Sequence, residues 1–178
     1  MILSAENYTP QTLLPRLKKQ AWKVWVVSFA VVFVWTLLIL LAPFAAVNDF
    51  SAVAGSLYKF FSFFCHQESE RSFHFAEHQF AVCARCFGVY FGLLAGFVVY
   101  PFLRPVETVE PLPRFWLFLA MIPMAIDWSL GFFGVWENTL WSRFLTGLIL
   151  GAACAVFIVP ALVEIVRLFY MKKRLKRL

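Results

Sequence analysis

Four long stretches of this chain carry almost no charge, and their lengths restrict the fold more than any other feature. Val24 to Asn48 is 25 uncharged residues, 18 residues separate Arg85 from Arg104, and 20 separate Arg143 from Glu164. Another stretch, from Phe115 towards Trp136, is broken only by Asp127. At a helical rise of about 1.5 Å per residue, such stretches cover roughly 27 to 37 Å, comparable with a hydrocarbon core of about 30 Å. Backbone groups in lipid must bond internally, so each stretch is expected to be a helix. The apolar content of 62% and charged content of 15% agree with this, since soluble domains are about half apolar and a quarter charged.

The expected architecture is therefore an all-α membrane protein with four transmembrane helices in one domain, 24–170. The spans fall at about 24–47, 84–103, 115–135 and 143–165, between basic tails 1–23 and 171–178. Val24 to Asn48 is too long for the apolar region of a signal peptide and reads as an anchor that stays. Ser51 to Phe64 is apolar but short and contains Gly55 and Lys59. It is expected to be an interfacial or re-entrant helix leading into a loop within 48–83. Pro101, Pro105, Pro111 and Pro113 punctuate the connection between spans two and three, while Pro43 and Pro160 are expected near the ends of their spans.

Lys and Arg set the expected orientation. Twelve of them lie in the two tails and the loop after span two, against Lys59, Arg71, Arg85 and Arg143 on the other side. The positive-inside rule then puts both termini in the cytoplasm of a cell-membrane protein and the loop 48–83 outside. The net charge of +6 belongs to lipid headgroups and topology. No aromatic-basic motif accompanies it, so nucleic acid is not an expected partner.

Span two carries Ala84, Gly88, Gly92 and Gly96 at every fourth residue, and span four carries Gly147, Gly151 and Ala155 in the same rhythm. Such faces let helix backbones approach closely in lipid, within one bundle or between copies in a homo-oligomer.

Six of the seven histidines and cysteines fall within 22 residues, Cys65 to Cys86, just before span two. Cys83 and Cys86 have the Cys-x-x-Cys spacing, and Cys65 with His66 completes three thiols and one imidazole, the number and kind that close a tetrahedral zinc site. Zinc, or another transition metal, on Cys65, His66, Cys83 and Cys86 is one reading. A structural disulfide and thiol-disulfide exchange are the other two, because thiols outside the cytoplasm tend to oxidise. His74 and His78 read as polar loop residues, and Cys154 as a core thiol of span four. Asp127 and Arg143 both lie towards the outer ends of their helices, with Asn138 nearby. Buried charges pair, so Asp127 is expected on Arg143. Asp127, Arg143 and Arg85 are the candidates for a polar, substrate-handling cluster. Whether the chain is an enzyme stays open.

Two resemblances follow from these residues. The run Cys65-His66-Gln67, Glu70-Arg71-Ser72-Phe73 and Cys83-Ala84-Arg85-Cys86 with Gly88, Tyr90 and Gly92 resembles the signature of a family of small prokaryotic integral membrane proteins of unknown function. Pro123, Asp127, Asn138, Arg143, Thr146-Gly147 and Gly151 are similar to that family's second block. The resemblance implies that the Cys-His elements, Asp127 and Arg143 belong to one shared design. Four spans with a Cys-x-x-Cys at the outer start of span two also look like the membrane proteins that reoxidise disulfide-forming partners with quinone. That likeness implies quinone as cofactor and Cys83 and Cys86 as the redox pair with Cys65 resolving. It departs from them in lacking a second outward cysteine pair.

Overall fold

A computed structural model describes residues 14–110 and 112–175. The outermost parts of the two basic tails, including Lys176 and Arg177, and Pro111 lie outside the described residues. The chain is an all-α membrane protein: helices α1 (Leu14–Val47), α2 (Ser51–Ser62), α3 (Ala84–Leu103), α4 (Phe115–Phe132) and α5 (Leu140–Leu175) account for nearly all its regular structure. All but α2 are long and apolar enough to cross a membrane. A two-residue hairpin, β1 (His74–Phe75) and β2 (His78–Gln79), sits between α2 and α3.

The ends of the helices differ from the charge-free windows for physical reasons. α1 and α5 run on through Arg16 to Lys23 and through Arg167, because charge limits how much of a helix lipid covers and not how far the backbone ladder continues. Pro160 therefore lies well inside α5 and not near its end, and Pro101 lies inside α3 and not in the connection. α4 stops at Phe132, three residues short of the expected limit. Gly134, at φ +67°, closes it: its N–H bonds to the Gly131 carbonyl and that of Val135 to the Leu130 carbonyl, the paired bonds of a Schellman cap.

α3 and α5 form the most extensive helix pair, and glycine makes it possible. A Cβ at Gly88 or Gly92 would lie on the backbone of Phe144 or Leu148, and one at Gly147 or Gly151 on the Arg85 or Val89 carbonyl. At Gly96 it would come within 2.6 Å of the Ala155 methyl. The two small-residue faces foreseen in the sequence are thus spent on each other within one chain. α1 packs across this pair, its Trp25 indole N–H donating to the Phe97 carbonyl at 3.1 Å. α4 leans on α5 from the other side and contributes no buried residue.

Two clusters of buried side chains mark the two ends. One joins Ala21, Phe97, Tyr100, Val159 and Val163, next to the loop where Glu107 meets Lys18 and its carbonyl accepts from Arg167. The other joins Ile39, Ala42, Phe61, Cys65, Ala81 and Val82. Above it the 63–83 connection is fastened by aromatic rings. Phe73 packs on Phe80, Phe87, Trp141 and Phe144, and Trp35 on Phe60, Phe61, Phe64 and Tyr90. Gly92→Val is expected to cost about 3 kcal/mol or prevent folding, since backbone cannot yield as a side chain would. Gly55→Ala, where a Cβ meets nothing within 4 Å, is expected to be neutral or to stabilise by up to about 1 kcal/mol. Thermal unfolding of both variants in detergent checks the pair.

Candidate metal centre and its polar neighbour

Cys65 follows the last turn of α2, its N–H still bonded to the Phe61 carbonyl at 3.0 Å. Cys83 is the N-cap residue of α3, and Cys86 lies in its first turn. The spacing of three residues turns both sulfurs to one side of the helix start, where α2 delivers the third. The three sulfur atoms lie within 4.8 Å of one another, Cys65 buried and the other two partly so. All three thiols are free. Ligands held about 2.3 Å from a tetrahedral zinc ion would lie about 3.8 Å apart, so the set fits a metal with small adjustments.

The surroundings favour negative charge on the Cys65 sulfur. The thiols of Cys83 and Cys86 donate to Cys65, and the N–H groups of Cys83, at 3.2 Å, and Gln67 add to them. Together they hold the Cys65 thiol far below its ordinary value, against the opposing effect of burial. The N-terminus of α3 adds its positive dipole end. The group is thus arranged to hold one thiolate, at Cys65, the species that binds metal.

His66 is placed differently. Its backbone neighbour Gln67 turns through the left-handed region at φ 52°, and His66 is exposed and outside the group of three sulfurs. His74 and His78 lie on the hairpin, His74 within 3.0 Å of the Ser69 hydroxyl. Cys154 is remote in α5 and does not join the cluster.

Gln67 is the residue whose role the sequence concealed. Its side-chain amide donates to the Tyr58 carbonyl at 2.8 Å and the Ala81 carbonyl at 2.7 Å, tying α2 to the segment that enters α3. The Tyr58 hydroxyl donates to the Gln79 carbonyl and ties down the hairpin. A lone amide beside Cys65-His66, between two apolar segments, was the available signal.

Asp127 pairs with Arg85 and not with Arg143. The expected pair fails because Arg85, in the first turn of α3, reaches across to α4, where the side chains are 18% and 9% exposed. Asn138 completes the set, donating to the Asp127 carboxylate at 3.0 Å and also to its backbone carbonyl. Gly131 gives Asn138 room, since a Cβ there would meet its amide at 2.6 Å. A groove of about 540 Å³ between α4 and α5, lined by residues such as Trp116, Ala120, Pro123, Ile149 and Ala153, is apolar and holds none of these groups.

With this geometry in view, comparison with known proteins is informative. Residues 65–157 match the family described as Predicted membrane protein (DUF2085). The chain belongs to that family. The matched segment begins at Cys65 and takes in all three sulfurs, Arg85, Asp127, Asn138 and Arg143. An uncharacterized protein of Methanocaldococcus jannaschii is 35% identical over 153 residues, covering 83% of this chain and 96% of the relative. An uncharacterized protein of Methanothermobacter thermautotrophicus is 40% identical over 96 residues, covering 54% and 85% respectively. No solved structure matches the chain.

Breaking a buried ion pair costs far more than replacing it with apolar groups. Asp127→Leu alone is therefore expected to destabilise by about 3 kcal/mol, and Arg85→Met with Asp127→Leu to recover most of that loss. Denaturation of the two variants and the parent in detergent measures it.

Proposed function

We propose that this is a cytoplasmic-membrane protein, with both termini inside, that holds a zinc-like metal ion on Cys65, Cys83 and Cys86 at the outer end of its bundle. The convergence of three free sulfurs within 4.8 Å, from two helices and across 18 residues of sequence, carries this reading. The N–H donors around Cys65 support it, because metal ligation uses thiolates. Orientation rests on the basic residues: Lys18, Arg104 and Arg167 gather at the end opposite the sulfurs, around Glu107 and Glu110.

Three sulfurs leave a fourth position for an exogenous ligand. Such an open site binds and polarises a ligand, whereas four protein ligands make a structural one. When bound, a zinc-like ion supplies Lewis acidity at that position. The residues of the chain hold the sulfurs in register through Gln67, which ties α2 to the segment entering α3. The Arg85, Asp127 and Asn138 network stiffens the helix that carries two of the sulfurs. Exposed His66 is the alternative fourth ligand, and it would need a local rearrangement of the turn at Gln67 to reach the group.

Metal analysis beside thiol titration on protein purified without oxygen tests the reading. About one equivalent of metal is expected in the parent, with loss in Cys65→Ser and Cys83→Ser and retention in His66→Ala. Loss in His66→Ala would close the site and make it structural. Metal-free protein whose Cys83 and Cys86 equilibrate with a quinone would replace the metal reading with a redox enzyme.

A further inference from the structure

Arg143 is the charge in this region that the site just described does not use. It lies one helical turn before Gly147, whose α-carbon rests on the Arg85 carbonyl. Gly151 in turn rests on the Val89 carbonyl, so the contact face of α5 runs parallel to α3 in steps of four residues. Carried back one step, that face puts Arg143 over the start of α3, beneath the loop that contains Arg71 and Phe73. The charged side chains in electrostatic range of Arg143 there are Arg85, Arg71 and Asp127.

The pairing in this cluster leaves positive charge over. Arg71 is bound to Glu68 at 2.8 Å, and Arg85 to Asp127. Among the described residues Arg143 has neither an ion-pair partner nor a side-chain hydrogen bond, although it is partly buried. The Nε–H of Arg85 is buried and also lacks an acceptor. An unsatisfied guanidinium donor under cover, as at Arg85, is costly unless something accepts from it, while the partly exposed donors of Arg143 stay open to a ligand. α3 and α5 both begin at this end, and their positive dipole ends favour an anion in the same place. The Phe73, Trp141 and Phe144 rings cover the start of α5 and lower the local dielectric, which strengthens any such pairing.

We infer that Arg143, with the free edge of Arg85, forms a binding site for an oxyanion, a phosphate group above all, at the mouth between α3, α4 and α5. A planar guanidinium accepts phosphate through two parallel hydrogen bonds, which an ammonium does not reproduce. The phosphate is either free in solution or the headgroup of an anionic lipid. The site stands whether or not the neighbouring sulfurs hold metal.

The test uses the full chain in non-ionic detergent, with two probes and four proteins: the parent, Arg143→Gln, Arg143→Lys and Lys59→Gln. Lys59 is exposed on α2 and serves as a control for net charge. Inorganic phosphate is titrated against chloride at matched ionic strength, followed by thermal shift. Phosphatidylglycerol is compared with phosphatidylcholine by native mass spectrometry. Affinity about tenfold weaker in Arg143→Gln than in the parent, with Lys59→Gln unaffected, is the expected result. If inorganic phosphate shows this loss, the ligand is free; if only phosphatidylglycerol shows it, the ligand is a lipid headgroup. Should Arg143→Gln fail to fold, Arg143→Lys decides, and it is expected to bind at least severalfold more weakly because the fork is lost. Equal binding by parent and Arg143 variants, or an equal loss in Lys59→Gln, would overturn the inference.

Discussion

Everything in this molecule is arranged around the backbone-to-backbone contact of α3 with α5. In water such a contact would be supported by the expulsion of solvent, but in lipid the surrounding tails are as apolar as the side chains. What remains is close van der Waals fit, and glycine provides it by letting one helix lay its α-carbons on the other's carbonyls. The contact also sets a register. Because Gly88, Gly92 and Gly96 are spaced evenly, sliding α5 by less than a full turn would drive carbonyls into Cβ atoms. The first turn of α3, with its two sulfurs and Arg85, is therefore fixed relative to the first turn of α5, with Arg143.

A division of labour between the two ends follows. The end where Lys18, Glu107 and Arg167 meet is held by an ordinary apolar cluster and a few exposed or half-exposed charges. At the other end, thiols, an ion pair, an amide staple and two groups of rings packed largely edge to face lie within a few turns of one another. Such polar groups are expensive near lipid and persist where they satisfy one another. Here the loop brings the partners: Gln67 supplies donors to two carbonyls, and Asn138 supplies them to Asp127.

How much of this could be read from the residues varies with the range of the interaction. The spans were legible because lipid imposes one rule on every backbone group, so length alone identifies them. The meeting of Cys65 with Cys83 and Cys86 was legible because rare residues on either side of a short loop have few other reasons to recur. The partner of Asp127 was not. Arg85 and Arg143 are both arginines at helix starts, and only the angular position of α4 around the bundle decides between them. His66 was read with Cys65 because the two are adjacent, yet adjacent side chains diverge when the chain turns, as it does at Gln67. The role of Gln67 depends on the simultaneous positions of Tyr58 and Ala81, which no local pattern records.

The distance along the chain between Cys65 and Cys83 has a consequence of its own. Any bond that joins these sulfurs, directly or through a common atom, closes a ring of about 18 residues and removes roughly 3 kcal/mol of conformational freedom from the unfolded segment. The aromatic contacts and the amide staple are non-covalent, whereas a closed ring would limit the separation of the two ends of the loop whatever those contacts do. A bond between these sulfurs would thus act as a tether of fixed length at the base of the loop.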